Sequence, residues 1–154
     1  MNTYVFKDDI CLFCDINIKS NIDAGNIKAR NIVAQNIHAL DIRAKNIKAR
    51  NIIAYNIKSD DIDAKDISLF EDIIAHFIYA LNIDVAGNIT AWHIGAKNIN
   101  AYDINVRCNI DADNISYYAV CVAYDGIRCN SINGKRENSK HFVLDGELII
   151  KGGN

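Results

Sequence analysis

The residue types best suited to chemistry in this chain lie in its last third. Three cysteines and a histidine gather there, and thiolate and imidazole groups are the ligands that zinc prefers, usually four to a site. Their spacing matches no established zinc motif, and a cysteine at a small inward position also serves as a plain buried hydrophobe. We therefore expect no cofactor, with zinc as the alternative at a speculative metal site formed by Cys108, Cys121, Cys129 and His141.

Signatures of catalysis are otherwise missing from the sequence. Asp60, Asp61, Asp63 and Asp66 are close in sequence, but the repeat described below sends them to different corners. We find no glycine-rich phosphate loop, no nucleophile elbow and no His-Glu zinc helix. The sequence therefore predicts no catalytic residues and no enzyme. An enzyme that uses a reactive thiol in the cysteine-rich segment is kept as a rival hypothesis.

Composition indicates an ordinary folded domain. Half of the 154 residues are apolar, proline is absent and the formal net charge is −2. No apolar stretch reaches the roughly 18 residues of a membrane span, and the N-terminus does not resemble a signal peptide. Five cysteines without framework spacing suggest free thiols in a reducing, cytoplasmic setting. The small net charge makes direct nucleic-acid binding an unlikely expectation.

A five-residue repeat, N-I-x-A-x, dominates the chain, as in "NIKARNIVAQNIHALDIRAKNIKARNI" from Asn26 to Ile52. Period five fits neither a helix nor a long strand. Within a unit, Ile and Ala are two residues apart and point the same way, as in a strand. Asn or Asp before each Ile suits a corner. A short side and a corner, repeated, predict a coil whose turns stack about 4.8 Å apart.

This pattern resembles the pentapeptide-repeat proteins over roughly residues 16–119, although Ala here follows the large residue instead of preceding it. The resemblance implies an all-β, right-handed quadrilateral β-helix with four units, or twenty residues, per coil. "NIKARN" at 26 and again at 46 agrees with that length. We expect an N-terminal cap over 1–15, the β-helix over 16–119, and a C-terminal cap over 120–154 with a β-hairpin at Asp145-Gly146.

A twenty-residue coil would gather exposed apolar side chains on two adjoining faces. A contiguous apolar patch usually marks a partner, and a homodimer is the simplest case. The alternative is that a terminal segment folds over the patch. The predicted protein interface consists of Val33, Ile53, Ile74, Tyr55, Phe77, Tyr79, Leu81 and Tyr102.

The same coil would place Lys28 beside Lys48 and Arg30 beside Arg50. Stacked like charges are unfavourable, so these four form a possible site for an anion or an acidic partner, with a solvated face as the alternative. We expect a non-enzymatic binding or scaffold protein that contacts proteins and itself. One alternative, by analogy to the family, is a cytoplasmic or phage-type inhibitor of a nucleic-acid enzyme such as a topoisomerase or a CRISPR or other defence nuclease. Another is a zinc-dependent binding protein that uses the C-terminal cap.

Overall fold

The computed structural model describes residues 3–5, 9–11 and 14–151. Within these ranges every strand pairing is parallel, and no helix occurs, so none could cross a membrane. The strands are β1 Thr3–Val5, β2 Ile10–Cys11, β3 Ile16–Asn17, β4 Asn21–Asp23, β5 Ile27–Lys28, β6 Asn31–His38, β7 Asp41–Ala54, β8 Asn56–Leu69, β9 Ile73–Val85, β10 Ile89–Ala91, β11 His93–Ala101, β12 Ile104–Val106, β13 Asn109–Tyr117, β14 Val120–Ala123, β15 Gly126–Cys129, β16 Ser131–Gly134, β17 Lys140–Val143 and β18 Glu147–Ile150.

The chain forms a β-solenoid, as the repeat predicts, and the solenoid has about eight turns. The length of each turn differs from the expectation. Ile27 pairs with Ile42, and Ile42 pairs with Ile57, so one coil contains three five-residue units instead of four. Every unit presents the same Ile and Ala inward, so three or four units per coil satisfy the hydrophobic pattern equally. The twenty-residue echo of "NIKARN" therefore does not mark a coil.

Three sides surround the core, and we name them by their inward isoleucines. These side chains are at most 2% exposed, and most of the alanines two residues later are also buried. Side A contains Ile27, Ile42, Ile57, Ile73, Ile89 and Ile104; side B contains Ile32, Ile47, Ile62, Ile78, Ile94 and Ile110; side C contains Ile37, Ile52, Ile67, Ile83, Ile99 and Ile115.

Some units of the repeat contain six residues instead of five, and the extra residue of each lies at a corner between two sides. After Ile67 and again after Ile83 the added residue lies between sides C and A, and the strands on both sides of the corner stay paired. Phe70 is 60% exposed at this bulge. A Cβ on Gly87 would meet the Glu71 carbonyl oxygen at 2.7 Å, so the second bulge requires a glycine there. The insertions therefore lengthen the corner without breaking the stack of strands.

Both ends of the chain continue the coil. Strand β17 pairs with β14 and β18 pairs with β15, all parallel, and β17 does not pair with β18. The predicted hairpin at Asp145-Gly146 is thus corrected to a corner between two sides. Strands β1 and β2 likewise stack on β4 and β5. Of the predicted N-terminal cap, residues 1–2, 6–8 and 12–13 lie outside the described residues.

Ile52 and Ile53 are sequence neighbours on opposite faces of the same strand, with 1% and 43% exposure. We predict that Ile52→Ala lowers the free energy of unfolding by about 2–5 kcal/mol, because it leaves a cavity in a packed column. Ile53→Ala removes the same atoms from the surface, and its expected cost is below about 1 kcal/mol. Urea denaturation of both variants measures the difference. Equal losses would contradict the inward and outward assignment.

Candidate functional site

The predicted apolar interface is not one face of this molecule. All eight of its residues are exposed, by 39% to 50%. Their sides differ, however: Val33 lies on side B, Ile53 on side C and Ile74 on side A. The shorter coil is the reason, because residues twenty apart fall on successive sides. The expectation of a contiguous patch over two adjoining faces is therefore corrected, because the residues lie on all three sides.

Part of that set belongs to an aromatic corner between sides C and A. Tyr55 and Phe70 have ring centroids 5.2 Å apart, and Tyr102 stacks on Tyr118 at 4.9 Å. In the coil between these two pairs, the residue at this corner is Gly87, which has no side chain. Sequence reasoning missed Phe70 and Tyr118 as members. Phe70 follows Tyr55 by fifteen residues and Tyr118 follows Tyr102 by sixteen, so a coil of three units would have placed both in this corner.

A second aromatic group lies on side B. The His93 ring centroid is 6.4 Å from that of Phe77 and 5.9 Å from that of Tyr79. Tyr79 covers Gly95 of the next coil, where a Cβ would lie 3.0 Å from the ring. His93 occupies a corner position that is usually Asn. Its register partner in the preceding coil is Phe77, and the two rings pack together, which accounts for the histidine. Leu81, the remaining predicted residue, follows on the same side.

The predicted anion site is also divided. Lys28 belongs to side A, whereas Lys48 and Arg50 belong to side B. Lys48 Nζ lies 3.1 Å from an Asp63 carboxylate oxygen. Arg30 donates two hydrogen bonds to Asp15, at 2.8 and 3.0 Å. That pairing raises the pKa of Arg30 and lowers the pKa of Asp15. The four cations therefore do not form one site, and two of them already have carboxylate partners.

Sequence reasoning missed a different basic column, on side A. Lys28, Arg43 and Lys58 occupy the same outward position in three successive coils. In the described parts of the chain none of the three forms an ion pair. Their separation is one strand spacing, about 4.8 Å at the backbone. The column was hidden because the assumed coil length assigned Arg43 and Lys58 to other faces.

This column forms one wall of a groove with a volume of about 560 Å³. Small residues form its floor, among them Ala75 and Ala91. The opposite wall consists of four side chains, each of which contacts the next one along the solenoid axis. His76 Nδ1 lies 3.4 Å from Asp60, the rings of His76 and Trp92 meet edge-on at 5.7 Å, and the Arg107 guanidinium is 6.0 Å from the Trp92 centroid. These four residues are Asp60, His76, Trp92 and Arg107.

Cys121 and His141 are register partners on adjacent strands, but the four candidate zinc ligands do not converge on one point. Cys121 and Cys129 are buried in the core, whereas Cys108 lies at a corner beside Asp125. His141 Nδ1 instead lies 3.1 Å from the Tyr117 hydroxyl. Over residues 3–5, 9–11 and 14–151, no three His, Cys, Asp or Glu side chains are arranged to hold a metal. The predicted ligand set is thus corrected, since two of its members face the dry interior.

Among residues 3–5, 9–11 and 14–151, none covers the core beyond the last described coil. Strands β16, β17 and β18 each pair with the preceding coil, and no described residue pairs with their outer edges. At inward positions Leu148 is 37% exposed and Ile150 is 42% exposed, against at most 2% for the isoleucines of the central coils. Other exposed apolar side chains of this last coil are Phe142, Leu144 and Ile149.

Thiol reactivity should separate the five free cysteines. Burial raises the pKa of Cys121 to about 12, and burial also raises the pKa of Cys129 and of Cys108. We predict that Cys11 and Cys14 react rapidly with Ellman's reagent at pH 8. Cys121 and Cys129 should react only after unfolding, because thiolate is the nucleophile. Rapid labelling of Cys121 in the folded chain, located by mass spectrometry, would contradict this.

The same pKa shifts set the direction of the pH dependence. A thiol whose pKa is higher in the folded state stabilises the fold below its ordinary pKa near 9, and that contribution falls as the pH rises toward 12.

Comparisons of the chain with protein-family models, with curated proteins and with solved structures give no match. The surface of the solenoid itself is therefore the basis for any statement about function.

Proposed function

We propose that this protein is a non-enzymatic binding protein that associates with a second copy of itself through the C-terminal end of the solenoid. The observation that carries the proposal is the last described coil, whose outer strand edges pair with no described residue and whose inward side chains are exposed. Unpaired edges are templates for another strand, and exposed apolar surface around them adds hydrophobic free energy to the pairing.

A second copy fits this end by symmetry. A two-fold axis that is perpendicular to the solenoid axis and lies between the two last coils pairs one side with its own copy. The same axis exchanges the other two sides. Strand β16 then meets its own copy in antiparallel pairing, and β17 meets β18 of the other chain. Such a contact is closed and yields a dimer.

The wider setting of the protein is part of the same proposal. Five free thiols support a reducing, cytoplasmic location. The five-residue unit supports kinship with the pentapeptide-repeat proteins, while a coil of three units departs from the four that this resemblance implies. We therefore rest the proposed association on the last coil, and not on the resemblance.

Light scattering after gel filtration tests this association. We expect a mass of two chains for the wild type and of one chain for the double variant Leu148→Lys/Ile150→Lys. Both residues are already part-exposed at the end of the stack, so the coil should survive. Ile53→Lys, on side C away from the end, is the matched control and should keep the two-chain mass.

Two outcomes contradict the proposal. One is a wild type that stays a single chain at every concentration up to the millimolar range. The other is a two-chain mass that persists in the double variant but is lost in Ile53→Lys, which would transfer the contact to an outer face. Circular dichroism of each variant confirms that the β-solenoid is intact when the mass is measured.

A further inference from the structure

The groove on side A has the dimensions of a site for one extended chain. Its two walls stand two residues apart along the strand, about 7 Å, which is too narrow to admit a duplex. From the coil of Lys28 to the coil of Arg107 there are five strand spacings, about 24 Å. Small side chains keep the floor low over this length. A single polymer strand can therefore lie along the solenoid axis.

One half of the groove offers positive charge without partners. On side B, by comparison, Lys48 at the corresponding outward position is paired with Asp63. Lys28, Arg43 and Lys58 stack three like charges in succession, an arrangement that is unfavourable in an isolated chain. A polyanion that follows the column relieves this repulsion and gains from each contact.

The other half offers a flat aromatic surface. Trp92 is 45% exposed although its ring is held on two sides. His76 meets it edge-on, and the Arg107 guanidinium lies over one face of the ring, 6.0 Å from the centroid. His76 is itself fixed by Asp60. These contacts restrict the indole in advance, so a planar group that stacks on it loses little additional freedom.

We infer that this groove binds single-stranded nucleic acid, with phosphates along Lys28, Arg43 and Lys58 and a base stacked on Trp92. A basic groove with an aromatic platform is the combination by which proteins hold single strands without reading sequence. An acidic peptide satisfies the cations but leaves the indole without a role. The small net charge of the chain conceals this site, because acidic residues elsewhere cancel the local excess.

Trp92 is the single tryptophan of the chain, so its fluorescence reports directly on the groove. Titration with a twelve-nucleotide oligothymidylate should quench it. If three phosphates are neutralised, the logarithm of the binding constant should fall with the logarithm of salt concentration with a slope of about −2. Arg43→Gln should reduce that slope by about 0.7 and weaken binding several-fold. Lys97→Gln, the same change of charge on side B, should leave both quantities unchanged.

A labelled oligonucleotide, followed by anisotropy, tests the platform separately. Trp92→Ala should weaken binding about tenfold, and Trp92→Phe should recover most of the loss because a smaller ring still stacks. The inference is overturned if the wild type does not bind the oligonucleotide, if duplex of equal length binds as tightly, or if polyglutamate competes equally and Trp92→Ala has no effect. Leu148→Lys/Ile150→Lys should still bind, which separates this site from the proposed dimer contact.

Discussion

The register of the stacked coils is the constraint on which the rest of this structure depends. Each inward isoleucine lies against another from the coil before, as in the column through Ile32, Ile47 and Ile62, and these side chains are at most 2% exposed. Burial on this scale fixes the register, because a shift by one residue would turn the apolar set outward. Once that register is set, the neighbours of each outward residue in the adjacent coils are also fixed. Every column on the surface is a consequence of the interior.

The corners show how closely the sequence follows this register. At the corner before side A, acid and amide alternate from coil to coil through Asp9, Asn26, Asp41, Asn56, Asp72, Asn88 and Asp103. Asn26 donates from its side chain to Asp9, and Asn56 does the same to Asp41, so donors meet acceptors and carboxylates are kept apart. At the corner before side C, Asn82 donates to Asp66 at 2.6 Å. Hydrogen bonds along the axis thus reinforce a stack whose order the core has already determined.

The sequence sufficed for the fold class and for the inward residues, since period five with Ile and Ala two apart leaves few alternatives. It did not determine the number of units per coil, because identical units satisfy a triangular or a square core alike. Because the number of units per coil was not determined, the assignment of every surface residue to a side of the solenoid was affected. Val33, Ile53 and Ile74 went to three sides, and Arg43 and Lys58 joined Lys28. The speculative metal site is not assembled among the described residues for a different reason: Cys121 and Cys129 occupy inward positions, where the repeat needs a small apolar side chain.

The six-residue units at the corners of side A do not disrupt the surface of that side. The extra residues after Ile67 and Ile83 precede side A at its first corner, and the one after Ile104 follows at its second. Neither corner alters the pairing within the side, where Ile57, Ile73, Ile89 and Ile104 remain in register. The groove therefore stays straight across both changes of coil length, from the basic column to Trp92. Insertions at corners let the loops vary while a linear site on the flat side keeps its geometry.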